Sequence, residues 1–330
     1  MTAHSLCGSS SLKKRSKCSA SCFEESRFTE DHSTEDSDRG TRLHTIMEHI
    51  ANGSIRLDRL PHEESEPCKM AWEMLYEALA DDLLPDGMTV NGGIWRTEMR
   101  LECRSTAADG RNDWGTVDLI VLYPREKRAF IADYKFGGAL IDHPLWNLQL
   151  QDYACNLWDA SELGVGHDWC VEVTYIQPSA RGAYNVQPHH FAPEDLGVIA
   201  SRIRDIRTRA YAEFDEYRVG QACQFCKAKK SCWARSAFLS QFVAFDPLLD
   251  LDGKTPLELG EILSVVKVAE AESKRIYGLV KEMMKEGAEI PGYSYNAEVN
   301  RISGSPNLRG MKPPEIHIKR TCANAPNSVD

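Results

Sequence analysis

The chain predicts an α/β fold in which helices flank a mixed central sheet. Three observations predict it. Two apolar, β-prone runs, 115–123 and 128–135, are joined by the polar turn Pro124 to Lys127, a hairpin signature. Further strand patterns precede and follow that hairpin, with helical patterns before, between and after them. At 330 residues, 42% hydrophobic and 27% charged, the chain has the size and balance to bury a full core.

Taken in order, residues 1–36 are Ser-rich and charged and read as an irregular N-terminal segment, tied down only near Cys18. Asp38 to about Asn52 reads as a helix carrying Leu43, His44, Met47 and Ile50. Residues 66–84 form an amphipathic pattern with Met70, Trp72, Leu75 and Leu79. Residues 94–104 alternate as a strand, with Trp95, Thr97, Met99 and Leu101 expected on one face and Glu98 on the other. The hairpin follows. Pro144 opens a helix to about Ala160, and strands are expected at 170–177 and 184–190. Pro193 to about Tyr217 and Thr255 to about Gly287 read as long helices, and Ile290 begins a short strand. The expected divisions are an N-terminal segment 1–36, a core 37–217, a cysteine segment 218–242, a helical extension 243–301 and a loose tail 302–330.

The formal net charge of −10 argues against a protein that coats nucleic acid non-specifically, while leaving room for one local groove. No apolar run reaches the roughly 18 residues of a membrane span, and no apolar stretch of a signal peptide stands at the N-terminus. A cytoplasmic, reducing location and no membrane partner are expected. Eleven cysteines, an odd number, fit poorly with a complete disulfide framework. Cys68, Cys103, Cys155 and Cys170 fall in apolar or periodic segments and read as packed thiols.

Asp118 lies inside the first hairpin strand and Asp133-Tyr134-Lys135 ends the second. Side chains alternate along a strand, so Asp133 and Lys135 share a face. Two carboxylates and an ammonium that converge on a strand pair suit metal-assisted phosphodiester cleavage. Asp118 and Asp133, with the Tyr134 carbonyl, can hold Mg²⁺ or Mn²⁺, and Lys135 can activate or position water. A surface salt bridge gives the same local pattern. Gln149 and Tyr153 are spaced i,i+4 and share a helix face, from which they can place a DNA strand, with Tyr153 stacking on a base. A wet helix side with Tyr153 half-buried is the structural alternative. His44 sits on the early helix, where an imidazole can complete a metal sphere.

Cys223, Cys226 and Cys232 are spaced to hold one metal or cluster, with a fourth ligand from elsewhere. Cys18 is the first candidate, and Cys22 and Cys7 are alternatives.

In that order, His44, Asp118, Asp133-Tyr134-Lys135 and Gln149 with Tyr153 resemble the RecB-type nuclease domain of the PD-(D/E)XK superfamily. One early cysteine plus three late ones resembles its iron–sulfur branch, which includes AddB-type and CRISPR-associated RecB-like nucleases. The nearest likeness is to phage-encoded RecB-like proteins, over about residues 9–301. The resemblance implies a restriction-endonuclease-like core with a cysteine-stapled helical lobe. It implies a metal-dependent deoxyribonuclease, acting as an exonuclease on DNA ends or single strands in phage or mobile-element DNA processing or recombination. The site would use Mg²⁺ or Mn²⁺, with a [4Fe–4S] cluster on Cys18, Cys223, Cys226 and Cys232. The host cell would then be bacterial. The early cysteine lacks the neighbouring Trp and Pro of that pattern, which keeps Cys22 and Cys7 open. No Walker A motif is present, so a helicase or recombinase would be a separate chain. The alternative is a non-cleaving DNA-binding or scaffold protein of the same fold, with Zn²⁺ in the cysteine module.

Overall fold

A computed structural model describes residues 5–28, 35–79, 93–138, 141–178, 188–212, 216–243, 255–290, 293–297 and 301–304. The chain divides into two compact units, Met1–Val268 and Ala269–Asp330.

The first unit is built on a five-stranded mixed sheet in the order β1-β2-β3-β4-β5. The strands are β1 (Ile94–Glu102), β2 (Trp114–Tyr123), β3 (Arg128–Tyr134), β4 (Cys170–Ile176) and β5 (His189–Phe191). β3 and β4 pair in parallel, and every other neighbour is antiparallel. The expected hairpin is β2–β3, and Lys127 in its turn takes a positive φ of 50°. A parallel pair needs a crossover, which here carries helix α5 (Leu148–Trp158).

β3 is buried along nearly its whole length, and its side chains alternate between two cores. Ala129 and Ile131 join a cluster with Leu150, Tyr153, Ala154 and Leu157 of α5 and Leu196 and Ala200 of α6 (Pro193–Tyr211). Phe130, Ala132 and Tyr134 join a second cluster with Leu43 and Met47 of α3 (Glu35–Ala51) and Cys68, Ala71 and Leu75 of α4 (His62–Ala78). The layers are therefore helix, sheet and helix. Helix α4 begins four residues before its expected start. Glu63 and Glu64 occupy its first turn, where carboxylates favour the helix dipole. Helix α6 ends at Tyr211, short of the expected Tyr217. The expected helix positions 80–84, strand positions 184–187 and tail from 305, with Cys322, lie outside the described residues.

The N-terminal segment departs from its expected irregularity. Two short helices, α1 (Leu12–Lys17) and α2 (Ser21–Ser26), pack on α6, with Cys7, Leu12 and Cys22 buried against Ile203, Ile206 and Ala210. A buried charge network holds the segment down. The Arg207 guanidinium is 0% exposed. It donates to both oxygens of Asp152 at 2.8 Å, to the Cys7 carbonyl at 3.0 Å and to the Thr106 hydroxyl at 2.6 Å. Ser9 Oγ donates to Asp152 Oδ2 at 2.6 Å, and the Cys7 N–H and the Tyr211 hydroxyl both reach Asp113. Gly115 lets this segment approach: a Cβ there would collide with Ser9 Oγ and stand 2.8 Å from Tyr153 Cε1. Short, polar helices like these owe their order to tertiary contacts rather than propensity.

After α6 come two 3₁₀ turns, Gln221–Phe225 and Lys227–Lys230, then α7 (Trp233–Val243) and the 30-residue α8 (Pro256–Lys285). The second unit holds the later part of α8 and a hairpin of β6 (Tyr293–Asn296) and β7 (Arg301–Gly304). Among the described residues no helix is long and apolar enough to cross a membrane.

Candidate metal centre

The centre forms where the regular alternation of β1 and β2 breaks at one rung. Thr97 pairs with Leu119 and Met99 with Val117, but the rung between them, Glu98 opposite Asp118, is missing from the ladder. Glu98 has a positive φ of 48°, uncommon for a side chain of its size. The two strands change phase there. Trp95 packs with the α3/α4 core, whereas Met99 and Leu101 pack with the α5/α6 core. The expected common face of Trp95, Thr97, Met99 and Leu101 is thus divided, because the backbone reverses its pleat at Glu98. Backbone strain of this kind collects at functional sites.

The consequence is a tight group. One ligand atom each from His44, Glu98 and Asp118 all lie within 4.8 Å of one another. Helix α3 supplies His44, anchored by its buried neighbours Leu43 and Met47 and edged against the rings of Tyr134 and Phe136. His44 Nδ1 is 3.2 Å from Asp118 Oδ1, and the Tyr134 N–H donates to Asp118 Oδ2 at 2.6 Å. Tyr134 therefore reaches the centre through its amide.

Asp133 and Lys135 do share a face, as alternation requires: Lys135 Nζ is 2.5 Å from Asp133 Oδ2. The other Asp133 oxygen accepts from Gln149 Nε2 at 3.0 Å, and the same amide donates to the Tyr153 hydroxyl at 2.9 Å. The Asn147 side chain caps α5 by accepting from the Gln149 and Leu150 N–H groups, which fixes Gln149 at the helix start. Tyr153 corrects the expectation of a base-stacking ring. It is only 3% exposed and packed in the core, so no ring face is open to a nucleobase, and its hydroxyl orients Gln149 instead.

The electrostatics call for a cation. Asp118 and Asp133 are both buried. Burial first, then the Asp118 charge, raises the Asp133 carboxyl despite Lys135. Glu98 is exposed as a residue. Loss of water around its carboxyl and the facing Asp118 nonetheless lift it to about 7. Burial opposes charge on His44 and Lys135, but Asp118 and Asp133 respectively outweigh it, and both pKa values are raised. Like charges directly opposite on a strand pair are destabilising unless a counter-charge sits between them. The donor set, one imidazole nitrogen and carboxylate oxygens, suits a hard divalent ion, with Mn²⁺ more tolerant of the nitrogen than Mg²⁺.

Glu98 was missed in the sequence because it sits in a polar row with Arg96, Arg100 and Glu102. The available signal was its register. Folding 94–102 back on 114–122 sets Glu98 opposite Asp118.

A pocket partly open to solvent lies between the N-terminal helices and the cysteine segment. Cys18, Cys223, Cys226 and Cys232 all line it. Cys7 and Cys22 instead hydrogen-bond to each other within the apolar N-terminal cluster. Lys14, Arg218, Lys229 and Arg235 also border the cavity, against one acid, Glu24. Burial, and then the nearby Cys18 and Cys232, raise the Cys223 thiol, and burial and then Glu25 push Cys226 up to about 11.

The chain belongs to a family described as a protein of unknown function, DUF2800, whose profile matches residues 4–297. No curated protein matches the chain.

Proposed function

We propose that this protein is a metal-dependent deoxyribonuclease of the PD-(D/E)XK type, related to RecB-like nucleases. The observation that carries this reading is the convergence of His44, Glu98 and Asp118 within 4.8 Å, beside the Asp133–Lys135 pair. His44, Glu98, Asp118 and Asp133, with the Tyr134 carbonyl, would hold Mg²⁺ or Mn²⁺. A divalent ion there, when bound, supplies Lewis acidity toward a phosphate oxygen and lowers the pKa of bound water. The remaining work falls to the chain itself. The Tyr134 N–H fixes one Asp118 oxygen and leaves the other directed at His44 and the cation. The Lys135 ammonium, held by Asp133, offsets phosphate charge and orients a water molecule. Gln149 holds the second Asp133 oxygen and would orient that carboxylate toward a cation. Tyr153 acts through Gln149, as a positioning residue.

The cysteine cavity is proposed to hold a structural [4Fe–4S] cluster on Cys18, Cys223, Cys226 and Cys232. Its basic border suits the negative charge of a thiolate-ligated cluster. The substrate would be DNA ends or single strands in phage or mobile-element DNA processing, in the cytoplasm and beside a separate helicase or recombinase.

The test is cleavage of single- and double-stranded DNA labelled at either end, with Mg²⁺, with Mn²⁺ and with chelator. Cleavage that requires the metal and disappears in Asp133→Ala is expected. Metal-independent cleavage, or binding without cleavage under every condition, overturns the nuclease reading.

A further inference from the structure

Helix α8 takes no part in either ligand site, yet it carries a long apolar row. Leu259, Ile262, Val266, Ala269, Ser273, Ile276, Val280 and Met283 follow one another at alternating steps of three and four residues. Ser273 is the one polar member. Leu259, Val266, Ile276 and Met283 are between 40% and 49% exposed, although they are large and apolar. Val268, which is buried, lies outside the row. A helix packed on its own globular domain repeats every 3.6 residues, so its row drifts around the axis. A sustained 3.5-residue repeat holds a straight seam for a second helix. The row extends about 36 Å along the helix.

The charges of α8 say which helix and in which direction. Residues 256–270 carry three acids, Glu258, Glu261 and Glu270, against Lys267 alone. Residues 271–285 carry four bases, Lys274, Arg275, Lys281 and Lys285, against Glu272 and Glu282. Two parallel copies would set like halves together, whereas two antiparallel copies set the acidic half of each on the basic half of the other. The helix is neutral as a whole, so self-pairing here is not opposed by the net −10 of the chain.

We propose that α8 pairs antiparallel with α8 of a second copy, about a twofold axis near Ala271. The layers then match. Leu259 meets Met283, Ile262 meets Val280, Val266 meets Ile276, and the two small side chains Ala269 and Ser273 meet at the centre. Such an interface is self-complementary, as a closed dimer requires.

The experiment uses the full chain in size-exclusion chromatography with light scattering over a dilution series. A dimer that dissociates on dilution is expected. Val266→Glu with Ile276→Glu should halve the apparent mass and leave the far-UV helix signal unchanged. Leu259→Lys alone and Met283→Glu alone should each weaken the dimer. Combined in one chain they should restore it, because each lysine then faces a glutamate of the other copy. A monomer at every concentration overturns the proposal, as does a dimer that survives Val266→Glu with Ile276→Glu. A combined Leu259→Lys, Met283→Glu chain that stays monomeric overturns the antiparallel arrangement.

Discussion

In the carboxylate centre the ligand atoms come from α3 and two adjacent strands, and hydrogen bonds to backbone and side chains already aim them. Around the cysteine cavity the proposed ligand atoms come from Cys18 and from Cys223, Cys226 and Cys232 about 200 residues later, in and beside two 3₁₀ turns. The first is a site the sheet builds, where a bound ion would relieve charge repulsion. The second is a site whose occupant would help to build the surrounding lobe. Loss of a ligand should therefore remove chemistry in the first and stability in the second.

The largest expected effect tests the first half of that contrast. Asp118→Ala, Asp133→Ala, Lys135→Ala and Glu98→Gln should each cut DNA cleavage by about 10²–10³-fold or more, the range for losing a preorganised electrostatic partner. Thermal melts of the three carboxylate variants should stay close to that of the parent, because each relieves a crowded negative charge. Full activity in Asp133→Ala would sink the site assignment. Unchanged Mn²⁺ binding by calorimetry in Glu98→Gln would remove Glu98 from the ligand set.

At the cavity the order should reverse. Cys226→Ala should give colourless, protease-sensitive protein whose activity falls in step with folding, while Cys68→Ala and Cys155→Ala keep the chromophore. Parent protein purified without oxygen should contain about four irons per chain. One zinc and no iron would replace the cluster with a zinc site. An intact cluster in Cys18→Ala would return the fourth ligand to Cys22 or Cys7.

A third substitution separates packing from either ligand site. Arg207→Met leaves Asp152 buried without its cation and should cost about 3–5 kcal/mol by denaturant unfolding. A change within measurement error would mean that the network does not hold the N-terminal segment.

The smaller effects sharpen the comparison. Tyr153→Phe removes one hydrogen bond to Gln149, worth roughly 0.5–1.5 kcal/mol, and should lower kcat modestly with KM little changed. A large rise in KM would instead restore a direct contact with DNA. Burial acts to raise the Glu25 carboxyl, but Arg15 and Lys14 outweigh it and hold it below its ordinary 4.5. Its stabilising contribution is then present above pH 4.5 and is lost as pH falls through the folded value. Glu25→Gln should flatten the acid limb of the stability curve, and an unaltered limb would exclude this contribution.

Helix α5 begins at Leu148, after a 3₁₀ turn at Pro144 where the helix was expected to open, whereas the hairpin, the shared face of Asp133 and Lys135, and the start of α6 at Pro193 were legible in the sequence. Each depends on local periodicity or on a capping residue. What was not legible depends on distant partners. Gln149 and Tyr153 share a helix face by spacing, but whether that face is wet was decided by Gly115 and Ser9, which press in from far along the chain. The N-terminal helices look irregular in isolation because their apolar contacts lie on α6. Glu98 looks like any polar strand residue until the backbone reverses at φ 48°.

The buried Arg207 also has a temporal meaning. The Cys7 carbonyl accepts a hydrogen bond from a side chain made 200 residues later. At roughly 5–20 residues per second the N-terminal segment waits about 10–40 s for its anchor. During that interval it is open to whatever binds a short basic peptide, and it docks only when α6 emerges. A slow stretch of translation before residue 207 would lengthen the exposure without changing a single contact of the finished protein.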